Sequence, residues 1–216
     1  MSLSDKPACD GKTASRQRIE QDILTAARRL FAQHGYEGVS IDRIAQDAGL
    51  SKQGLLYYFP KKTVLYRAVL DGVLDEWLLY MDALGQHHDD PKRAFSDYIA
   101  GKLRFSRDHP DGSRVFANEI IAGAPHFSDA IETRVLPALQ ADEATYQRWV
   151  ALGLCRPMDT RHLMIVLWAA TQAYADFAHQ ICLVLRKSEL DAQDFTDAGA
   201  LITDMVLRTV LVSPEG

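Results

Sequence analysis

The chain has 216 residues, 47% hydrophobic and 25% charged, with a formal net charge of −5. That is material for one large domain or two small ones, in the ordinary composition of a globular protein. Three scattered cysteines (Cys9, Cys155 and Cys182) argue against a disulfide scaffold or a metal site. The polar first thirty residues argue against a signal peptide, and the longest apolar run, LMIVLWAA at 163–170, is too short to span a bilayer.

A cytoplasmic protein with no membrane partner is expected, and its charge is unevenly spread. Residues 1–67 hold 11 Lys+Arg against 7 Asp+Glu, whereas the remainder holds 13 against 22. A basic head on an acidic body hints at a polyanionic partner for the head alone, although random scatter produces differences of this size too.

In chain order, nearly every periodic stretch has the helical period. Residues 1–14, rich in Asp, Lys, Pro and Gly, read as a disordered arm. Ile19, Ile23, Ala26, Ala27 and Leu30 mark the first amphipathic helix, and Gly35 is placed to end it. Ser40 can cap a second, short helix with Ile41, Ile44, Ala45 and Ala48 on its apolar face, stopped by Gly49. Ser51 caps a third, which buries Leu55 and Phe59. Pro60 suits the first position of a fourth, running to about Leu84 with Tyr66, Leu70, Val73, Trp77 and Met81 in one stripe. Helices over roughly 92–108, 112–122, 126–154, 160–187 and 191–212 follow, separated by DDP, HPDG, GAP, GLCRP and KSELD. The expected fold is all-α: a three-helix helix-turn-helix head (15–60), then a helical body (61–216) suited to ligand binding and dimerisation.

Two short serine-capped helices joined by a glycine turn form a helix-turn-helix candidate. The second helix of such a pair enters the major groove with its N-terminal residues toward the bases. Those are Lys52, able to donate to guanine, Gln53, matched to adenine, and Gly54, which lets the helix sit close. Tyr57 and Tyr58 offer hydroxyls to phosphates. Lys61 and Lys62 open the fourth helix, where the dipole already disfavours cations, so a DNA phosphate is the anion they await. Lys12, Arg16 and Arg18 extend the basic surface as an arm along the backbone or minor groove. Helix spacing alone leaves an ordinary packed hairpin equally open.

The stretch IDRIAQDAGLSKQGLLYYFPKKTVLYRAVL resembles the DNA-binding signature of the TetR family of bacterial transcriptional regulators. The pattern is a hydrophobic residue, x-x-I-A-x-x-A-G-L-S, a recognition helix ending Tyr-Phe, and a lysine opening the next helix. Leu56 stands where most members have tyrosine, so Tyr57 and Tyr58 take over its phosphate contact. The resemblance implies a homodimer on a palindromic DNA operator, with Ser40, Ser51, Lys52, Gln53, Gly54, Tyr57, Tyr58 and Lys62 at the DNA and a ligand pocket in each body. It also implies recognition helices about 34–36 Å apart, one DNA turn.

In the body, RHLMIVLWAATQAYADFAHQICLVL is apolar around nearly its whole circumference and is expected to be buried on most sides, with Ala169, Ala170 and Ala173 allowing close helix approach. Its polar exceptions, Thr171, Gln172, Asp176 and His179, therefore need partners. Trp168 and Gln172, four apart, share a face, and Trp77 lies on the fourth helix. An indole plane beside a carboxamide suits a small planar heterocycle, although a buried tryptophan is more often simply core. The segments LDEWL (74–78), SRDHP (106–110), AGAP (122–125) and WAATQAYADFA (168–178) resemble the family's pyrimidine-utilisation regulators, whose ligand is uracil, with thymine weaker. That resemblance implies Trp77, Trp168 and Gln172 as ligand contacts, with departures at Asn118 and Gln53–Gly54.

HHDD at 87–90 has metal-ligand residue types, but contiguous ligands rarely close a tetrahedral site, so it reads as a solvated linker. Cys155 and Cys182 read as small core residues. No Ser/His/Asp arrangement, phosphate loop or catalytic carboxylate pair stands out, and no cofactor is expected. The composite expectation is a dimeric, ligand-responsive regulator that represses in the family's commoner mode, cytoplasmic and nucleoid-associated on DNA. A regulator of other genes with a different planar or apolar ligand is the first alternative, and a helical enzyme or interaction protein the second.

Overall fold

The computed structural model describes residues 9–81, 83–86 and 89–212, the side chains of 9–13, 80, 81, 83 and 86 excepted. The chain forms two compact units, residues 1–71 and 72–216. Every element among the described residues is a helix, and their only extended pairing is an isolated bridge between Cys155 and Leu211. None of these helices is long and apolar enough to cross a membrane.

The first unit contains α1 (Cys9–His34), α2 (Ile41–Asp47), α3 (Lys52–Tyr58) and the start of α4 (Lys62–Met81). Gly35, at φ +69°, ends α1 as its position suggests. Most of the apolar face read from the sequence is core: Ile23, Ala26, Ala27, Leu30, Ile44, Ala45, Leu55, Phe59 and Leu70 are buried, whereas Ile19, Ile41 and Ala48 are half-buried. Tyr66 packs edge-on to Phe31, ring centres 4.8 Å apart, and also meets Tyr36 at 4.8 Å.

Two boundaries here differ from the sequence reading. Helix α1 already includes Cys9, the first described residue, so residues 9–14 of the expected arm are helical; residues 1–8 and the Lys12 side chain lie outside the described residues. Pro60 precedes α4 instead of opening it. Lys61 is the residue whose carbonyl accepts the first turn's N–H groups, from Val64 and Leu65 at 3.1 Å each, and Lys62 is the first helical residue.

The second unit holds the rest of α4, α5 (Ala83–Gln86), α6 (Pro91–Asp108), α7 (Pro110–Ile121), α8 (Ser128–Ala130), α9 (Leu136–Ala151), α10 (Thr160–Asp176), α11 (Ala178–Leu185) and α12 (Ala192–Val210). Helix α6 is central: it packs on α10 and α12 and buries Phe95, Tyr98, Ile99, Lys102 and Phe105. Asp90 caps it, accepting from Arg93 N at 3.0 Å, so half of the HHDD run is helix punctuation and His87 and His88 lie outside the described residues. Cys155 and Cys182 are buried and free, and burial pushes the Cys155 thiol up to about 11.

Two expected long helices are interrupted, each for a local reason. Between α8 and α9, residues 131–135 form one wide π turn, in which Leu136 N–H reaches back to Ile131 O. Pro137 has no N–H and cannot tolerate the ordinary fourth-preceding carbonyl, and the wider turn accommodates it. The 160–187 stretch breaks at Phe177 (φ −112°, ψ 24°). Arg114 Nε donates to Ala175 O at 3.2 Å there, a side chain inserted into the helical ladder.

That stretch is also less buried than its composition suggests. Val166 is 63% exposed, Phe177 58% and Val184 73%, and α12 adds Leu201 and Met205 at about 60%. The apolar circumference belongs to two faces, one in the core and one left open on the single chain. Ala169 is exposed and His179 is solvated, so neither serves the interior.

Candidate functional site

Two sites follow from this architecture, one in each unit. In the first, Ser40 Oγ accepts from Arg43 N at 3.2 Å and caps α2, while Ser51 Oγ accepts from Gly54 N at 3.0 Å and caps α3. Gly49, at φ +69°, lets Leu50 N reach Ala45 O at 2.8 Å and its own N reach Gln46 O at 3.2 Å, which closes the end of α2. Both serines thus hold helix ends, and their hydroxyls are occupied by the backbone.

Lys52 and Gln53 are exposed at the start of α3, with Lys52 Nζ 2.7 Å from Asp42 Oδ2. Gly54 has a structural reason beyond close approach, since a Cβ there would sit 3.3 Å from Ser51 Oγ. Tyr57, 71% exposed, stands edge-on to Tyr58 with centres 5.3 Å apart, and the Arg16 guanidinium lies 5.7 and 5.9 Å from the two rings. Arg16 therefore joins the tyrosine pair from helix α1 rather than from a loose arm. Lys62 Nζ rests 4.2 Å from the centre of the Tyr36 ring and has no carboxylate partner among the described residues. An aromatic face tolerates a cation that the helix dipole disfavours, and it leaves the charge available to an anion.

In the second unit, a cavity of about 360 Å³ brings Trp77, Trp168 and Gln172 together. Helix α7 supplies Phe116, Ile120 and Ile121, the π turn supplies Ile131 and Val135, and Asp176 completes the wall. The two indoles meet edge to face, 5.2 Å apart at 62°, and Trp77 lies 5.8 Å from Phe116. Trp168 Nε1 donates to Tyr98 Oη at 2.7 Å, so its donor is committed and its ring is held in place. Tyr98 is wholly enclosed, and burial pushes its phenol far above the ordinary tyrosine value.

The polar exceptions on α10 separate in the structure. Thr171 donates to Leu167 O at 2.8 Å within its own helix, while its carbonyl accepts from Ser106 Oγ at 2.9 Å. Asp176 Oδ1 accepts from Ser113 Oγ at 2.6 Å, and burial holds this carboxyl above its usual range against that bond. Gln172 makes no side-chain hydrogen bond among the described residues and faces the cavity with a free amide. Asp176 was legible as a wall residue, since 168, 172 and 176 are spaced by four. The α7 and π-turn contributors carried no such signal. Asn118 is outside the lining, so the departure there does not touch this cavity.

A further buried pair carried no sequence signal. Lys102, on α6, has no exposed surface, and its Nζ lies 3.7 Å from the centre of the Trp77 ring. Among the described residues, neither Lys102 Nζ nor Trp77 Nε1 has a hydrogen-bond partner. No group of three or more metal-ligating side chains exists among the described residues.

A family model described as "Bacterial regulatory proteins, tetR family" matches residues 23–69, and one described as "YcdC-like protein, C-terminal region" matches 70–213. The "HTH-type transcriptional regulator RutR" of Escherichia coli (strain K12) is 43% identical over 159 residues, 74% of each chain. The "HTH-type transcriptional repressor ComR" of the same organism is 28% identical over 158 residues, 71% of this chain and 72% of its own. Among solved structures, the ketosteroid transcriptional regulator KstR2 of Mycobacterium tuberculosis superposes with a TM-score of 0.72 at 18% identity, covering 90% of this chain and 95% of its own. AibR, in complex with isovaleryl coenzyme A and operator DNA, gives 0.70 at 17% identity, covering 87% and 97%.

Proposed function

The chain belongs to the tetR family of bacterial regulatory proteins, and on that premise we propose a homodimeric repressor released from a palindromic operator by a small planar effector such as uracil. It is a transcriptional regulator with a helix-turn-helix DNA-binding head and a helical body. The reading extends this to control of pyrimidine utilisation. The observation that carries it is the convergence on one cavity of Trp77, Trp168 and Gln172, whose amide has no partner among the described residues, in a chain 43% identical to RutR over 159 residues. The rings supply stacking faces, and the Gln172 amide supplies one donor and one acceptor for an imide edge. A volume of about 360 Å³ lies at the small end of ligand cavities, which suits a single-ring effector.

On DNA, Lys52 and Gln53 read base edges in the major groove, Lys52 exchanging Asp42 for its contact. Tyr57, Tyr58, Arg16 and Lys62 bind phosphates and fix orientation. Ser40, Ser51 and Gly54 hold the two helix ends that present these groups. The open apolar face on α10, α11 and α12 supports the dimer, because an isologous interface requires one self-complementary patch. Effector binding then favours one body conformation, and only a difference in effector affinity between two states moves the head.

The test is calorimetric titration with uracil, alongside thymine and uridine. Saturable binding near one site per subunit to uracil, weaker to thymine, is expected. Absence of heat with all three refutes the pyrimidine reading and leaves the DNA-binding head standing. The apolar character of the α7 and π-turn wall favours the second reading in that case, a different planar or apolar effector of other genes.

A further inference from the structure

A lysine with no exposed surface and no hydrogen-bond partner is costly to keep, because burial penalises its charge and leaves its N–H groups unpaired. Lys102 has no hydrogen-bond partner among the described residues, and it does not sit in an indifferent place. Its Nζ lies against Trp77, 3.7 Å from the ring centre, and Trp77 forms one wall of the body cavity. The Trp77 indole N–H is likewise buried and has no partner among the described residues. Two unsatisfied donors therefore meet at the same wall, while Asp176, on another part of the lining, bonds to Ser113.

From this juxtaposition we propose that Lys102 is a specificity-determining residue of the cavity, and that with Trp77 Nε1 it selects planar ligands bearing an acidic N–H or O–H beside an acceptor oxygen. The proposal rests on the effector-site reading above and adds a ligand class to it. Lys102 lies a layer behind the open lining, and a lysine stem is long and flexible enough for its terminal torsions to bring Nζ past the indole edge. Burial drives the Lys102 ammonium toward its uncharged form, and the Asp176 carboxylate opposes this. An uncharged amine is a proton acceptor. A ligand's acidic N–H bond breaks as the Nζ–H bond forms, leaving an ammonium against an anionic ring edge, with Trp77 Nε1–H donating to the adjacent oxygen. No other reactant is needed. A neutral ligand that lacks an acidic group can accept from Trp77 Nε1–H at most and gains none of the proton transfer.

The test uses the full-length protein and a near-isosteric series of rising imide acidity: uracil, 5-fluorouracil and 6-azauracil. Benzoate and benzamide serve as a second, non-pyrimidine pair. Affinities are measured by calorimetry for the wild type, Lys102→Met and Lys102→Arg, each checked for helical content and thermal unfolding. Wild-type affinity is expected to rise by about tenfold per unit of acidity fully used by the lysine. Lys102→Met keeps the stem and should flatten the series. Lys102→Arg keeps a charge but cannot accept a proton, so it should flatten the series too while still preferring benzoate over benzamide. An equal slope in wild type and Lys102→Met overturns the proposal. If no pyrimidine binds but benzoate binds in a Lys102-dependent way, the ligand-class proposal stands and the pyrimidine reading falls. If affinity does not rise along the imide series and benzoate does not outbind benzamide, the Lys102 proposal is refuted, whatever becomes of uracil.

Discussion

Replacing Tyr98 by phenylalanine removes one oxygen and nothing else from the wall that supports Trp168. In the native structure that oxygen accepts from Trp168 Nε1 at 2.7 Å, and Tyr98 is wholly buried. The phenyl ring of the variant fills the same space, so there is almost no cavity cost. What remains is an indole N–H without its partner. A fully buried orphan of this kind costs about 1–3 kcal/mol. Trp168 is only partly enclosed, so water meets some of the need, and we expect the lower half of that range, about 1–2 kcal/mol. For a chain of this size this corresponds to a melting temperature lower by roughly 2–8 °C. Because the lost bond also fixes the plane of Trp168, uracil affinity should fall by about fivefold, while operator affinity is unchanged. The decisive assay is a double-mutant cycle with Trp168→Phe, followed by thermal unfolding. If the bond carries the effect, Tyr98→Phe costs almost nothing in the Trp168→Phe background, a coupling of about 1 kcal/mol. Strict additivity refutes the reasoning, because the two side chains would then contribute independently.

Other outcomes follow from the same geometry. Gln172→Ala should weaken uracil by roughly tenfold or more and abolish derepression, with operator binding intact; an unchanged response in a reporter assay removes Gln172 from the site. Lys62→Ala should weaken all DNA sequences alike and lower the slope of log affinity against log salt by about 1, and an unaltered slope excludes a phosphate contact. The same change removes the cation over Tyr36, so unfolding should register a loss of about 0.5–1 kcal/mol. Val166→Glu with Val184→Glu places charge on the open apolar face and should yield monomers in sedimentation at undiminished helicity. A dimer that survives both substitutions lies elsewhere.

The head was legible because its code is local. Ser40 and Ser51 cap helices that begin one residue later, and Gly49 has the positive φ that its position between them demands. Each signal is read within four residues, so the motif, the turn and the buried Leu55 and Phe59 could be placed without knowing what packs against them. The body is a different problem. Trp168, Gln172 and Asp176 share a helix face that spacing reveals, but Phe116 and Val135 reach the same cavity from segments about fifty and thirty residues away. Only three-dimensional packing brings them there. Periodicity also read the 160–187 stretch as buried on most sides, more than the single chain shows, because hydrophobic pattern records which residues avoid water and not which neighbour covers them. Val166 and Val184 satisfy that pattern as well in a subunit interface as in a core.

The same distinction separates the residues that merely stabilise the body from those that wait for a ligand. Buried polar groups are ordinarily paired, and here Ser106, Ser113 and Thr171 are, each through a bond that ties α10 to α6, to α7 or to itself. Trp168 is paired too, which assigns it the passive task of presenting a ring face. Among the described residues Gln172, Trp77 Nε1 and Lys102 Nζ are not, and all three lie on or directly behind one wall of the cavity. Thr160 Oγ1 and the Asp142 Oδ2 atom also make no hydrogen bond among the described residues, away from this cavity, so a buried atom without a hydrogen bond marks no site by itself. What singles out Trp77 Nε1 and Lys102 Nζ is that both lie at one wall ring of the cavity that Gln172 also lines, and that is the juxtaposition on which the effector proposal rests.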